Sequence, residues 1–148
     1  MDKNKILKTA KQLHKKHGDI KGLLEHLHTK VIYADLGENV GGFNTTNFRI
    51  NFIVINENVP RSERDFIILH ELGHKVCRHK NNKLYLLQNT FVVCNRYEKE
   101  ADFFATAYIM EKYHHDTIKG LSINQLSGLT GISEDNLTDY IDFIKGGV

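Results

Sequence analysis

The stretch Phe66-Ile67-Ile68-Leu69-His70-Glu71-Leu72-Gly73-His74-Lys75-Val76-Cys77-Arg78-His79 decides how this chain is read. It holds the spacing H-E-x-x-H inside an apolar run preceded by Pro60, a residue suited to the first turn of a helix, so a helix is expected from about Arg61 to His79. Four residues make about one helical turn, which places both imidazoles on one face within reach of a single tetrahedral Zn²⁺. Glu71, about 100° round from His70, can then reach a water on the metal rather than the metal itself, as a catalytic acid/base must. A shuffled chain of this composition would contain the spacing only about 0.03 times, so chance is a poor explanation.

A catalytic zinc site needs a third protein ligand and one open position. His79 lies about 140° round from His74 and points away if the helix continues. A histidine six residues after His74 is absent, because Lys80 stands there. The remaining source is the segment RYEKEADFFATAY, residues 96–108, expected on a second helix from about Asn95 to Tyr113. Glu98 and Glu100 are about 200° apart on that helix, so only one faces inward. Tyr97, Ala101, Phe103, Phe104, Ala107 and Tyr108 flank Glu100. An unpaired carboxylate in such an apolar face would cost several kcal/mol, and coordination of a dication removes that penalty. This argument selects Glu100 as the third ligand and leaves Glu98 facing away with Asp102.

Outward from these helices, Ile6, Leu7, Ala10 and Leu13 mark an amphipathic helix over residues 3–17, stopped at Gly18. Asp19 caps a short helix from Ile20 to His28. Val31 to Tyr33 opens a β-rich stretch in which Phe48 to Ile55 is the clearest strand, giving two or three antiparallel strands. Phe48 to Ile55 is equally a core strand, or the edge on which a peptide substrate adds as a further strand or the neighbour of that edge. Leu84 to Leu87 and Phe91 to Val93 read as short extended pieces. Gly120 ends the second metal helix, and two short helices follow near Ser122 to Leu129 and Ser133 to Ile144.

Composition bounds the rest. The chain has 148 residues, 41% of them hydrophobic and 26% charged, with a net charge of +2. That is one globular domain, not a disordered chain. It divides into N-terminal helices over 1–30, a small sheet over 31–56, metal-binding helices over 60–113 and a helical appendage over 120–148. Cys77 and Cys94 are too few for a disulfide framework. With no signal-like start and no apolar run near 18 residues, a cytoplasmic protein with no membrane partner is expected. Cys77 reads as a core residue, and His14, His17, His26 and His28 as surface residues. Tyr97, Tyr108, Arg78, His79, His114 and His115 are open candidates for stabilising the oxyanion of peptide hydrolysis.

The final segment, NQLSGLTGISEDNLTDYI, has the layout of a helix-turn-helix, with Gly131 in the turn. Glu134, Asp135, Asp139 and Asp142 against Lys145 alone would repel phosphate, which argues against nucleic acid as a partner.

HELGH followed about 25 residues later by Glu98-Lys99-Glu100-Ala101-Asp102-Phe103-Phe104-Ala105 resembles the ImmA/IrrE metallopeptidases of phages and mobile elements. The resemblance implies an α+β fold of minimal zincin, gluzincin-like type: a small antiparallel sheet packed on the HExxH helix, with additional helices. It implies zinc held by His70, His74 and Glu100, with Glu71 as catalytic acid/base. It further implies endopeptidase activity on a helix-turn-helix repressor, which would release the genes the repressor silences. The chain departs from the family pattern at Arg78-His79 and at Tyr108-Ile109-Met110-Glu111. Two other functional readings are a zinc-stabilised regulator that binds a repressor stoichiometrically, and DNA binding by the C-terminal helices.

Overall fold

The computed structural model describes residues 1–79, 85–87 and 96–146. Helix α1 (Lys3–His17) starts at Asp2, whose carboxylate accepts from the Lys5 amide, and stops at Gly18 with φ 70°. Asp19 caps α2 (Ile20–His26) in the same way. Strands β1 (Thr29–Ala34), β2 (Val40–Asn47) and β3 (Ile50–Asn56) follow, then α3 (Arg61–Val76), β4 (Tyr85–Leu86) and α4 (Arg96–Met110). Three further helices, α5 (His115–Ile118), α6 (Ile123–Thr130) and α7 (Glu134–Gly146), complete the described chain.

The sheet order is β1-β3-β2-β4, and the sheet is mixed rather than antiparallel throughout. β2 and β3 form a hairpin, β4 runs antiparallel to β2, and β1 lies parallel to β3. The parallel pair arises because the loop after β1 carries the chain past the place that β3 later fills. Asn56, fully buried, ties that loop down: its amide donates to the Gly37 and Val40 carbonyls at 2.7 Å each, and its oxygen accepts from the Leu36 amide at 3.3 Å. β3 is therefore internal, paired on both sides, and cannot receive a substrate strand. The expected strand from Phe48 also begins two residues late, because Phe48 and Arg49 take φ of 50° and 65° and form the turn between β2 and β3.

One face of the sheet packs on α3. Gly41 and Gly42 make this possible, since a Cβ at either would lie about 3.1 Å from the Ile67 side chain. Ile53, Ile55, Ile67, Leu69 and Leu72 join Ile6 and Phe104 in the core between the sheet and the helices. At the C-terminus Ile132 and Leu137 are buried while the acidic positions of α7 stay outside, so this segment packs on the domain through the positions its sequence marks as apolar. The span 80–84 and 88–95, including Phe91 to Val93 and Cys94, lies outside the described residues. Among the described residues no helix is long and apolar enough to cross a membrane.

Candidate metal centre

Two helices and one strand supply the site. On α3, His70, Glu71 and His74 are all buried. His70 Nε2 and His74 Nε2 point at the same spot, 3.1 Å apart. The third group is Glu98, not Glu100: its Oε2 lies 3.0 Å from His70 Nε2 and its Oε1 3.1 Å from His74 Nε2. Bonds of about 2.0–2.1 Å to a tetrahedral Zn²⁺ would separate ligand atoms by about 3.3 Å, so these three donors already stand near three corners of that tetrahedron. The donor set and its spacing fit zinc.

The choice of Glu100 fails for a physical reason. A helical wheel finds the face turned toward the core, but the metal sits at the seam between α3 and α4, and a catalytic ion must remain open to substrate. Glu98 meets both conditions, with its side chain 31% exposed and reaching α3. Glu100 is buried on another face of α4, and its charge is met by the Met1 amino group at 2.7 Å and by His79 Nε2 at 3.3 Å.

The seam itself is set by small residues. A Cβ on Gly73 would lie 3.0 Å from the Ala101 carbonyl oxygen and 3.2 Å from Phe104, so glycine there lets the two metal-bearing helices touch backbone to backbone. Ala101 and Ala105, both fully buried, provide the matching strip on α4. Glu98 and Asp102 flank that strip one turn apart and reach the same imidazole.

Asp102 is a site residue that the wheel argument turned away from the centre. Its Oδ1 lies 2.6 Å from His70 Nδ1, the nitrogen that faces away from the metal position. Burial opposes charge on His70, but Asp102 and Glu98 together raise its pKa to about 10. Burial also opposes charge on Glu98, yet the two histidines hold its carboxyl well below the usual carboxylate range. Asn44 on β2 is a second residue that sequence alone did not single out. Its amide donates to Glu71 Oε2 at 2.6 Å. Among the described residues Glu71 Oε1 is buried without a hydrogen-bond partner. Burial pushes the Glu71 pKa up, and His70, Asn44 and His74 partly offset this.

Helix α3 ends at Val76, three residues earlier than expected, and Arg78 takes φ 60°. His79 therefore turns back instead of pointing away: its Nδ1 lies 2.9 Å from His74 Nδ1. Of the oxyanion candidates, Tyr108 is committed elsewhere, donating to the Gly18 carbonyl at 2.7 Å. Tyr97 packs on the His79 ring, and Tyr85, not among the candidates, sets its ring edge-on to His70 at 4.8 Å. Cys77 is buried, as a core residue should be, and burial is the chief cause raising its thiol to about 11.

His70, His74 and Glu98 thus make up a triad that can hold a metal ion, with Glu71 beside it in the HExxH spacing. The IrrE N-terminal-like domain family matches residues 24–116, and the chain belongs to that family. It is also similar to "Uncharacterized immunity region protein 2" of Bacillus phage phi105, with 32% identity over 88 residues, covering 60% of this chain and 56% of that protein. The chain spans little more than half the length of this relative.

Proposed function

We propose that this protein is a zinc-dependent endopeptidase whose substrate is a helix-turn-helix repressor of a phage or mobile element, cleaved to release the genes it silences. The observation that carries the reading is Glu71 Oε1, a buried carboxylate oxygen without a partner among the described residues, beside three convergent metal donors. A structural zinc site would have four protein ligands and no need of such a group. When bound, zinc supplies Lewis-acid polarisation of a carbonyl and lowers the pKa of water.

Glu71 does the proton work. Asn44 holds one oxygen, which leaves Oε1 to take a proton from the attacking water and return it to the leaving amine. Its raised pKa suits both directions of transfer. A cavity of about 450 Å³ lies between α3 and the α6–α7 turn, lined in part by Phe66, Tyr85, Ser127 and Ile132. Phe66 and Tyr85 also pack on His70, so this cavity adjoins the metal residues and offers room for a substrate side chain.

The repressor substrate is supported by the family resemblance and by the word "immunity" in the phage relative's name. The test is intact-mass analysis of a candidate repressor incubated with the zinc-loaded protein, beside Glu71→Gln. Two discrete fragments with the wild type alone are expected. An uncut repressor that still binds both proteins would overturn cleavage and favour a stoichiometric regulator.

A further inference from the structure

We propose that His79 and Glu100 are positioning residues that fix the tautomer and orientation of the ligand His74, acting as a two-step hydrogen-bond chain behind it. The inference rests on His70, His74 and Glu98 being the zinc ligands, and extends that reading to the residues that hold one of them.

With His79 neutral, as its burial and the Met1 ammonium on the same Glu100 oxygen favour, the contacts leave one consistent placement of protons. Glu100 Oε1 lies 3.3 Å from His79 Nε2, and His79 Nδ1 lies 2.9 Å from His74 Nδ1. A carboxylate only accepts, so His79 Nε2 carries the hydrogen. A neutral His79 then has a lone pair on Nδ1, and His74 must donate to it from its own Nδ1. That leaves the lone pair of His74 on Nε2, the atom that faces His70 and Glu98. The opposite placement would aim a His79 lone pair at a carboxylate oxygen and put the His74 hydrogen where the metal must bind. Both side chains behind His74 are almost closed to solvent, 3% exposed for His79 and 8% for Glu100, so water cannot easily repair the wrong tautomer.

The backbone is bent to build this chain of bonds. Arg78 occupies the left-handed region, a conformation that is unfavourable for a non-glycine residue. The reversal is closed by the His79 amide donating to the His74 carbonyl at 2.9 Å. Asp102 reaches His70 directly, whereas Glu100, on another face of α4, reaches His74 only through the interposed imidazole.

Cys77, His79 and Glu100 also lie close enough together to hold an ion themselves. The proton placement argues against that use. An ion on His79 Nε2 would force its hydrogen onto Nδ1, against the hydrogen that His74 needs there. The chain behind His74 and a second ion therefore exclude each other.

Three variants of the full chain test the proposal. In His79→Asn the amide oxygen falls near the position of Nδ1 and can still accept from His74, while His79→Gln places its amide near Nε2 and His79→Leu has no acceptor. Zinc affinity, measured by competition with a chromophoric chelator, should fall about 10–100-fold for Gln and Leu and stay close to wild type for Asn. In ¹H–¹⁵N spectra of the zinc-loaded protein, His74 should show a slowly exchanging Nδ1–H in wild type and Asn, lost in Leu. If Leu fails to fold, the contrast between Asn and Gln carries the test. Wild-type affinity in Leu or Gln, an Asn loss equal to that of Leu, or two zinc ions per wild-type chain would overturn the proposal. A wild type that binds no zinc would sink the ligand reading as well, whereas zinc-loaded wild type with an indifferent His79 sinks only the inference.

Discussion

Asp102 Oδ1 and Glu98 Oε2 grip opposite nitrogens of His70, at 2.6 Å from Nδ1 and 3.0 Å from Nε2. The first contact orients the ring and the second marks the coordinating edge. Asp102→Asn keeps the shape but removes the charge that favours an Nδ1–H, so zinc affinity should drop about 10–100-fold while the melting profile of the metal-free protein shows a cooperative fold. Chelator competition measures this, and unchanged affinity would mean that Asp102 only fills space.

The two glutamates of α4 should separate cleanly. Glu98→Gln removes a donor from the triad and should abolish stoichiometric zinc on metal analysis. Glu100→Gln retains an oxygen that can accept from His79 and should keep one zinc per chain. The reverse result would return the third-ligand role to Glu100.

Metal-free protein should lose stability as the pH rises from about 6.5. His70 has a folded pKa raised to about 10 against 6.5 when unfolded. Its protonated form therefore contributes fully below pH 6.5, and the contribution is lost progressively toward pH 10. Urea midpoints in a chelating buffer between pH 6.5 and 7.5 test the sign while staying below the titration of unfolded thiols and phenols. A midpoint that climbs over this window contradicts it. In His70→Gln the slope should be shallower.

Gly73→Ala should separate α3 from α4, because the added Cβ meets backbone at 3.0 Å rather than a flexible side-chain end. Overpacking of this kind costs about 1–3 kcal/mol. Both a lower urea midpoint and weaker zinc binding are expected, since the same movement withdraws Glu98 from the histidines.

Asn44→Ala frees Glu71 Oε2 and removes one interaction that favours its charge. The base should become harder to ionise, so proteolysis of a cleavable protein should slow and its acid limb shift to higher pH, with zinc content unchanged. An unshifted limb would show that Asn44 does not tune Glu71.

Much of this architecture is legible in the sequence because local signals agree. Asp2, Asp19 and Ser122 cap helices, Gly18 and Gly131 end them, and H-E-x-x-H needs only the helical repeat to bring two imidazoles together. The third ligand depends on how two helices meet, which a wheel drawn for one of them does not contain. A signal was present nonetheless: Gly73 opposite Ala101 and Ala105 marks a close seam, and Glu98 and Asp102 straddle it at one-turn spacing. Asn44 and the parallel β1–β3 pair were illegible because both depend on contacts between distant segments. His79 was misplaced only by assuming that α3 runs through Arg78.

His74 and Glu98 belong to different helices, so an ion shared by them is also a clasp on the chain. Closing a loop of about 24 residues removes unfolded-state freedom corresponding to about 3 kcal/mol in the chain-entropy account of cross-links. Occupancy would then govern survival as well as chemistry: a cell short of zinc would hold a protein at once inert and easier to degrade.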